Sequence, residues 1–342
     1  MGVYEPAIFS ISLGRAVVHS LDLKIDQAAA KGFKGIELAY EDLEFAAKTS
    51  FKTDEPSLPE LSETAAGIRR RCDSVGLKVI TLQPFLGYDG LLDRDAHALM
   101  IEKIHVWFQL AKILGTDMIL VPANFLPADQ VSGDMEVIAA DLRELADLGL
   151  REDPPVRFAY ESLCWSTHVD TWEAAWAVVQ RVDRPNFGLC LDTFNIAGRV
   201  WADPAAPDGR TPDADMVLRK SLERLVRDVD VRKVFFLQVV DAEKMDAPLV
   251  KGHPFHVAGQ PPRMNWSRNA RTFMYEQDRG AYLPVEKVAD VIFNRLGYRG
   301  WVSMELFSRT LFEKGPHVVE DHAKRGFESW KKLQAKFHLD QR

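Results

Sequence analysis

Four stretches of the chain share one join: KGFKGIEL (31–38), VGLKVITL (75–82), LGTDMILV (114–121) and LGYRGWVSMEL (296–306). In each, an amphipathic helical pattern ends at a glycine, and a few residues later an apolar or β-branched run begins. Glycine can take the left-handed conformation that closes a helix, and so short a connection brings the next strand back parallel to the last. A chain that repeats this join is confined to alternating helices and parallel strands.

Strand patterns fall at IFSIS (8–12), GIELAY (35–40), KVITLQP (78–84), DMILVP (117–122), RFAYES (157–162), FGLCLDT (187–193), VFFLQVVD (234–241) and WVSMELF (301–307). Between them lie segments such as SLDLKIDQAAAKG, ALMIEKIHVWFQLAKILG and DTWEAAWAVVQRV, with apolar residues three and four apart. Eight such strands alternating with helices predict a closed (β/α)8 TIM barrel, formed as one domain over residues 1–342. A doubly wound open sheet is disfavoured, because the turn after the first strand has no GxGxxG. Long loops follow strands six (198–213) and seven (242–282), at the face where such barrels carry their active sites.

Composition narrows the partners. Of 342 residues, 46% are hydrophobic and 27% charged, the balance of a globular protein, and the formal charge is −7. No cluster of Lys and Arg is interleaved with aromatics, so a nucleic-acid partner is not expected. No run is long and apolar enough to span a bilayer, and the N-terminus does not read as a signal peptide; the expectation is a cytoplasmic protein acting on a small molecule. The three cysteines, Cys72, Cys164 and Cys190, lack CxxC spacing and read as reduced packing residues. Oligomeric state is not legible at this level.

Polar residues end the late strands: Glu161 after RFAY, Asp192 after FGLCL, Gln238 after VFFL and Glu305 after WVSM. Any one alone reads as a surface carboxylate or an ion-pair partner. At equivalent places on consecutive barrel strands, however, the four point at one spot, and three carboxylates cannot remain ionised there without protons or a cation. All four are oxygen ligands, so the pattern predicts one hard divalent ion, Mg2+ or Mn2+, with Co2+ as a substitute. Its open positions would suit a ketone and a neighbouring hydroxyl.

These residues, with SLGR (12–15), YESLCWST (160–167), LDTFNIAGR (191–199), MNWSRNARTF (264–273) and WVSMELF (301–307), resemble the metal-dependent 3-dehydroshikimate dehydratases among the xylose-isomerase-like TIM barrels, most closely the fungal quinate-catabolism form. The resemblance implies metal ligands at Glu161, Asp192, Gln238 and Glu305, and a substrate carboxylate held by Ser267 and Arg271, with Arg268 as the neighbouring alternative. It implies loss of water from 3-dehydroshikimate to give protocatechuate. Bacterial members carry a His where this chain has Asn195, so the general base must lie elsewhere. His253 is the first substitute, because a neutral imidazole suits proton transfer near pH 7, and Glu37 and Glu305 follow. Trp165, Phe194 and Trp266 are candidates to pack on a flat ring; Gln83 and Tyr88 belong to the family-like stretch without an assigned role. The alternative reading is a sugar or inositol isomerase or epimerase on the same barrel, which commonly has His in place of Gln238 and needs no carboxylate anchor.

Overall fold

The computed structural model describes residues 4–340. Eight parallel strands close into a barrel: β1 (Glu5–Phe9), β2 (Gly35–Ala39), β3 (Lys78–Gln83), β4 (Met118–Pro122), β5 (Arg157–Glu161), β6 (Phe187–Asp192), β7 (Val234–Val239) and β10 (Trp301–Met304). Strand β10 pairs with both β1 and β7, which seals the ring. The remaining two strands, β8 (Asp241–Ala242) and β9 (Arg271–Thr272), form a small antiparallel pair in the connection after β7.

The glycine joins behave as their chemistry requires. Gly32, Gly76, Gly115 and Gly297 each close a helix in the left-handed conformation, with a strand following within a few residues. The first strand lies earlier than the sequence pattern predicts, at Glu5–Phe9, and SISL forms a tight helical turn instead. The apparent strand alternation there serves another purpose: Ser10 Oγ accepts from the Ala39 amide (2.9 Å) and Ser12 Oγ from the Leu306 amide (2.7 Å). The two hydroxyls satisfy amides at the barrel rim where the backbone ladder has stopped.

Three helices lie outside the predicted set. Tyr40–Phe51 follows β2 directly, fixed by a buried ion pair from Lys24 Nζ to Asp42 Oδ1 (2.6 Å). Thr193–Val200 starts at the end of β6. The long connection after β7 also contains the helix Pro262–Ala270, which leads into β9 and carries Ser267 and Arg268.

Side chains alternate across each strand. Ala159, Cys190 and Phe236 pack with Met118 and Leu120 in an apolar cluster separate from the larger core around the helices. Two residues further along the same strand faces come Glu161, Asp192 and Gln238. The apolar cluster thus forms a dry floor beneath polar tips.

Gly35 shows how tight this interior is. A Cβ on it would meet Ile80 Cγ2 and Trp301 Cζ3 at 2.7 Å. Gly35→Ala is expected to cost about 1–3 kcal/mol by overpacking. Urea denaturation checks this: the midpoint falls with the slope unchanged, and an unchanged midpoint refutes it.

Candidate active site at the C-terminal mouth of the barrel

Glu161 is the last residue of β5, Asp192 the last of β6, Gln238 the penultimate residue of β7, and Glu305 follows β10 directly. Register puts Asp192 beside Gln238, and Gln238 beside Ser303. All four side chains are buried. They meet through shared partners. Asn195 Nδ2 donates to Glu161 Oε1 (2.8 Å) and Asp192 Oδ2 (2.9 Å). Gln238 Nε2 donates to Glu305 Oε1 (3.1 Å). Arg271 Nη1 donates to Asp192 Oδ2 (3.0 Å) and to Glu305 Oε2.

A further carboxylate completes the cluster. Glu37 on β2 is fully buried, and its Oε2 accepts from Gln83 Nε2 (2.5 Å) and Gln238 Nε2 (3.0 Å). Its Oε1 has no partner. In the sequence Glu37 was visible only as an acid inside an apolar strand and a candidate base; its link to Gln238 arises from barrel closure.

Local structure fixes the orientation of these side chains. Asp192 caps the helix Thr193–Val200, its Oδ1 accepting from the amides of Phe194 (2.6 Å) and Asn195 (3.2 Å). The first helical turn therefore turns Asn195 back to the cluster. An amide is not basic near pH 7, so Asn195 clamps two carboxylates rather than taking a proton.

Arg271 is 2% exposed, its Nε donating to Ser267 Oγ (2.9 Å). The guanidinium lies over the rings of Phe194 (4.2 Å), Phe307 (5.2 Å) and Trp165 (5.8 Å). Burial disfavours its charge, but Asp192, Glu305 and Glu161 outweigh this and raise its pKa. Thus the charge that the resemblance assigns to the substrate carboxylate is already engaged by two acids, and among the described residues Nη2 makes no hydrogen bond.

One guanidinium faces four carboxylates. Desolvation, then mutual repulsion, raises the pKa of Glu161 and Glu37 well above the ordinary carboxylate range. Asp192 is also raised by burial, against the pull of Arg271, and Glu305 is pushed up to about 7 by burial. The donor chemistry, all oxygen, buried and short of positive charge, fits a hard divalent cation. Among the described residues none donates a hydrogen bond to Glu161 Oε2. The spacing, however, is that of a cluster held by Arg271: among the described residues no three acidic, imidazole or thiol groups form a closed metal cage. Gln238 turns its nitrogen toward the acids, and its Oε1 accepts from Cys190 Sγ (3.4 Å).

Above the cluster opens a cavity of about 500 Å3, lined by Glu161, Glu305, Ser267, Arg271, Trp165 and Gln83 among others. Not every sequence candidate reaches it. His253 does not line the cavity; its Nδ1 accepts from the Phe255 amide (3.1 Å) and its ring lies edge-on to Phe255. Trp266 is fully buried behind Phe194 and donates to the Glu243 carbonyl (2.8 Å). Tyr88 bonds the Asp141 carbonyl (2.9 Å), a packing role.

Raised carboxylate pKa values set the sign of a pH effect. A folded pKa above the unfolded one means the folded state holds protons more tightly, so these groups cost nothing below about pH 4. Stability then falls as pH rises, and the share due to Glu305 is lost by about pH 7, where it ionises in the folded state. Chelator-treated protein is expected to lose melting temperature as pH rises from the ordinary carboxylate range toward about 7, and Glu161→Gln to reduce that loss. A Glu161→Gln profile parallel to wild type, measured calorimetrically, would refute the assignment.

The sequence matches the model of the xylose isomerase-like TIM barrel family over residues 25–333. The chain is 54% identical over 332 residues to a 3-dehydroshikimate dehydratase of Neurospora crassa, aligning 96% of itself with 92% of that protein. It is 29% identical over 289 residues to a 3-dehydroshikimate dehydratase of Pseudomonas aeruginosa, with 84% of this chain spanning 36% of the bacterial one. Among solved structures, the IolI protein with a bound zinc atom superposes with a TM-score of 0.68 at 16% identity, covering 97% of this chain and 99% of that one, a likeness of fold. By its closed barrel and its match along most of its length, the chain belongs to the xylose isomerase-like TIM barrel family.

Proposed function

We propose that this chain, acting as one barrel domain, is a 3-dehydroshikimate dehydratase that eliminates water to give protocatechuate, the reaction used in quinate catabolism. The observation that carries the reading is a buried acid cluster beneath a cavity of about 500 Å3, in a chain 54% identical to a protein of that name. Glu161, Asp192, Gln238 and Glu305 are the residues to hold a divalent ion, Mg2+ or Mn2+, with Co2+ able to substitute. When bound, the ion supplies Lewis acidity toward the C3 ketone and C4 hydroxyl, which acidifies the C4 hydrogen.

Glu305 lines the cavity, and a carboxylate oxygen there can accept that C4 proton. The C5 hydroxyl leaves with a proton as water, and a C6 hydrogen then shifts to the C3 oxygen, completing the aromatic ring. Glu37, itself held by Gln83, accepts from Gln238 Nε2 and fixes that amide. Ser267 and Arg271 bind the substrate from the cavity wall, through the serine hydroxyl and the free Nη2. Trp165 offers an aromatic side to the ring.

Two measurements test this. Purified protein given 3-dehydroshikimate and Mg2+ or Mn2+ is expected to produce the near-UV absorbance of protocatechuate, and a chelator to abolish it; turnover that survives complete metal removal refutes the role of the acid cluster. Glu305→Gln is expected to lower kcat by about 10²–10⁴, with circular dichroism unchanged. A variant with wild-type kcat moves the proton acceptor elsewhere.

A further inference from the structure

A second cavity, of about 490 Å3, lies outside the mouth, and the proposed chemistry does not use it. It opens between residues 16–22 and the helices Tyr40–Phe51 and Leu58–Val75. The ion pair of Arg15 with Glu41 marks the divide: those two residues line the mouth cavity, whereas their chain neighbours Ala16 and Asp42 line this one.

Three features of its wall are unexplained by packing. Asp42 is only 2% exposed. Its Oδ1 accepts from Lys24 Nζ (2.6 Å), but its Oδ2, equally buried, has no partner among the described residues. A buried acceptor without a donor is costly, so a donor brought to it is favoured. Gly67 sits in the middle of the helix Leu58–Val75, where glycine is among the poorest helix formers. No close contact demands it there, because a Cβ would meet only Arg70 Nη2, at 3.8 Å. The missing side chain leaves the cavity wall open at that point. Lastly, the exposed side chains of Val17 and Phe45 stand at the same cavity as Leu21 and Ile68. Single apolar residues on a surface need no account, but these share a concave wall with an unsatisfied buried oxygen.

Charge selects the donor. The Asp42 carboxylate is already engaged by Lys24, so an ammonium at Oδ2 would set two cations against each other across one acid. An anion would meet Asp22, Asp42 and Glu63 on the lining, with Arg70 alone to offset them. A neutral hydroxyl satisfies Oδ2 without either conflict, while an apolar body covers Phe45, Val17 and the opening at Gly67. We infer that this cavity is a second ligand site, which takes a small neutral alcohol or phenol whose hydroxyl donates a hydrogen bond to Asp42 Oδ2.

Methyl-resolved NMR of the full chain locates a binder residue by residue. Phenol is expected to shift the methyl signals of Val17, Leu21 and Ile68. Anisole, which keeps the ring but lacks the donor, should bind there about two- to ten-fold more weakly, and benzylammonium and benzoate should also bind more weakly than phenol. Gly67→Met fills the open wall with a better helix former, so it should abolish the phenol shifts at Val17 and Leu21 without lowering Tm. Phe45→Ala should weaken phenol and anisole alike and preserve their ratio. The inference is overturned by phenol shifts confined to the mouth, by equal affinity for phenol and anisole, by tighter binding of benzylammonium or benzoate, or by a Gly67→Met or Phe45→Ala protein that binds phenol as the wild type does.

Discussion

Burying a carboxylate in its ionised form is costly, and the mouth of this barrel buries four carboxyl groups within hydrogen-bond reach of common partners. The geometry around them answers that cost. Asn195 spans Glu161 and Asp192, Gln238 spans Glu37 and Glu305, and Arg271 spans Asp192 and Glu305. Each bridging group comes from a different strand or loop, so the cluster exists only when the barrel is closed. Because the carboxyl groups outnumber the positive charge within reach, the cluster is short of a cation, and the proposed function assigns that place to a hard divalent ion.

That demand explains features that packing alone leaves unmotivated. An apolar floor of Met118, Leu120, Ala159, Cys190 and Phe236 seals the site from below and keeps the effective dielectric low. Low dielectric raises the carboxylate pKa values and sharpens any charge placed among them. The arrangement is thus a stability liability kept for chemistry, as functional sites commonly are. The aromatic rings under Arg271 hold the cluster's guanidinium in place.

Much of this was legible in the residues. The glycine joins define the barrel, and period two along each strand explains why Glu161, Asp192, Gln238 and Glu305 converge once the strand ends are known. What escaped was set by tertiary closure. Ser10 and Ser12 mimic a strand pattern because their hydroxyls receive amides from distant residues. Glu37 is joined to Gln238 across 201 positions of sequence, a separation no local pattern reports. His253 has the right chemistry for a base, but the long loop after β7 packs it against Phe255. Arg271 and Arg268 look alike in WSRNAR, yet one is buried among acids and the other faces the rim.

The shared cation is the claim on which the rest leans, and it can be seen directly. Crystals grown with Mn2+ and measured at a wavelength where manganese scatters anomalously should show one strong peak, bounded by oxygens of Glu161, Asp192, Gln238 and Glu305. A map with no peak there, or with manganese bound only at another surface, would contradict the account.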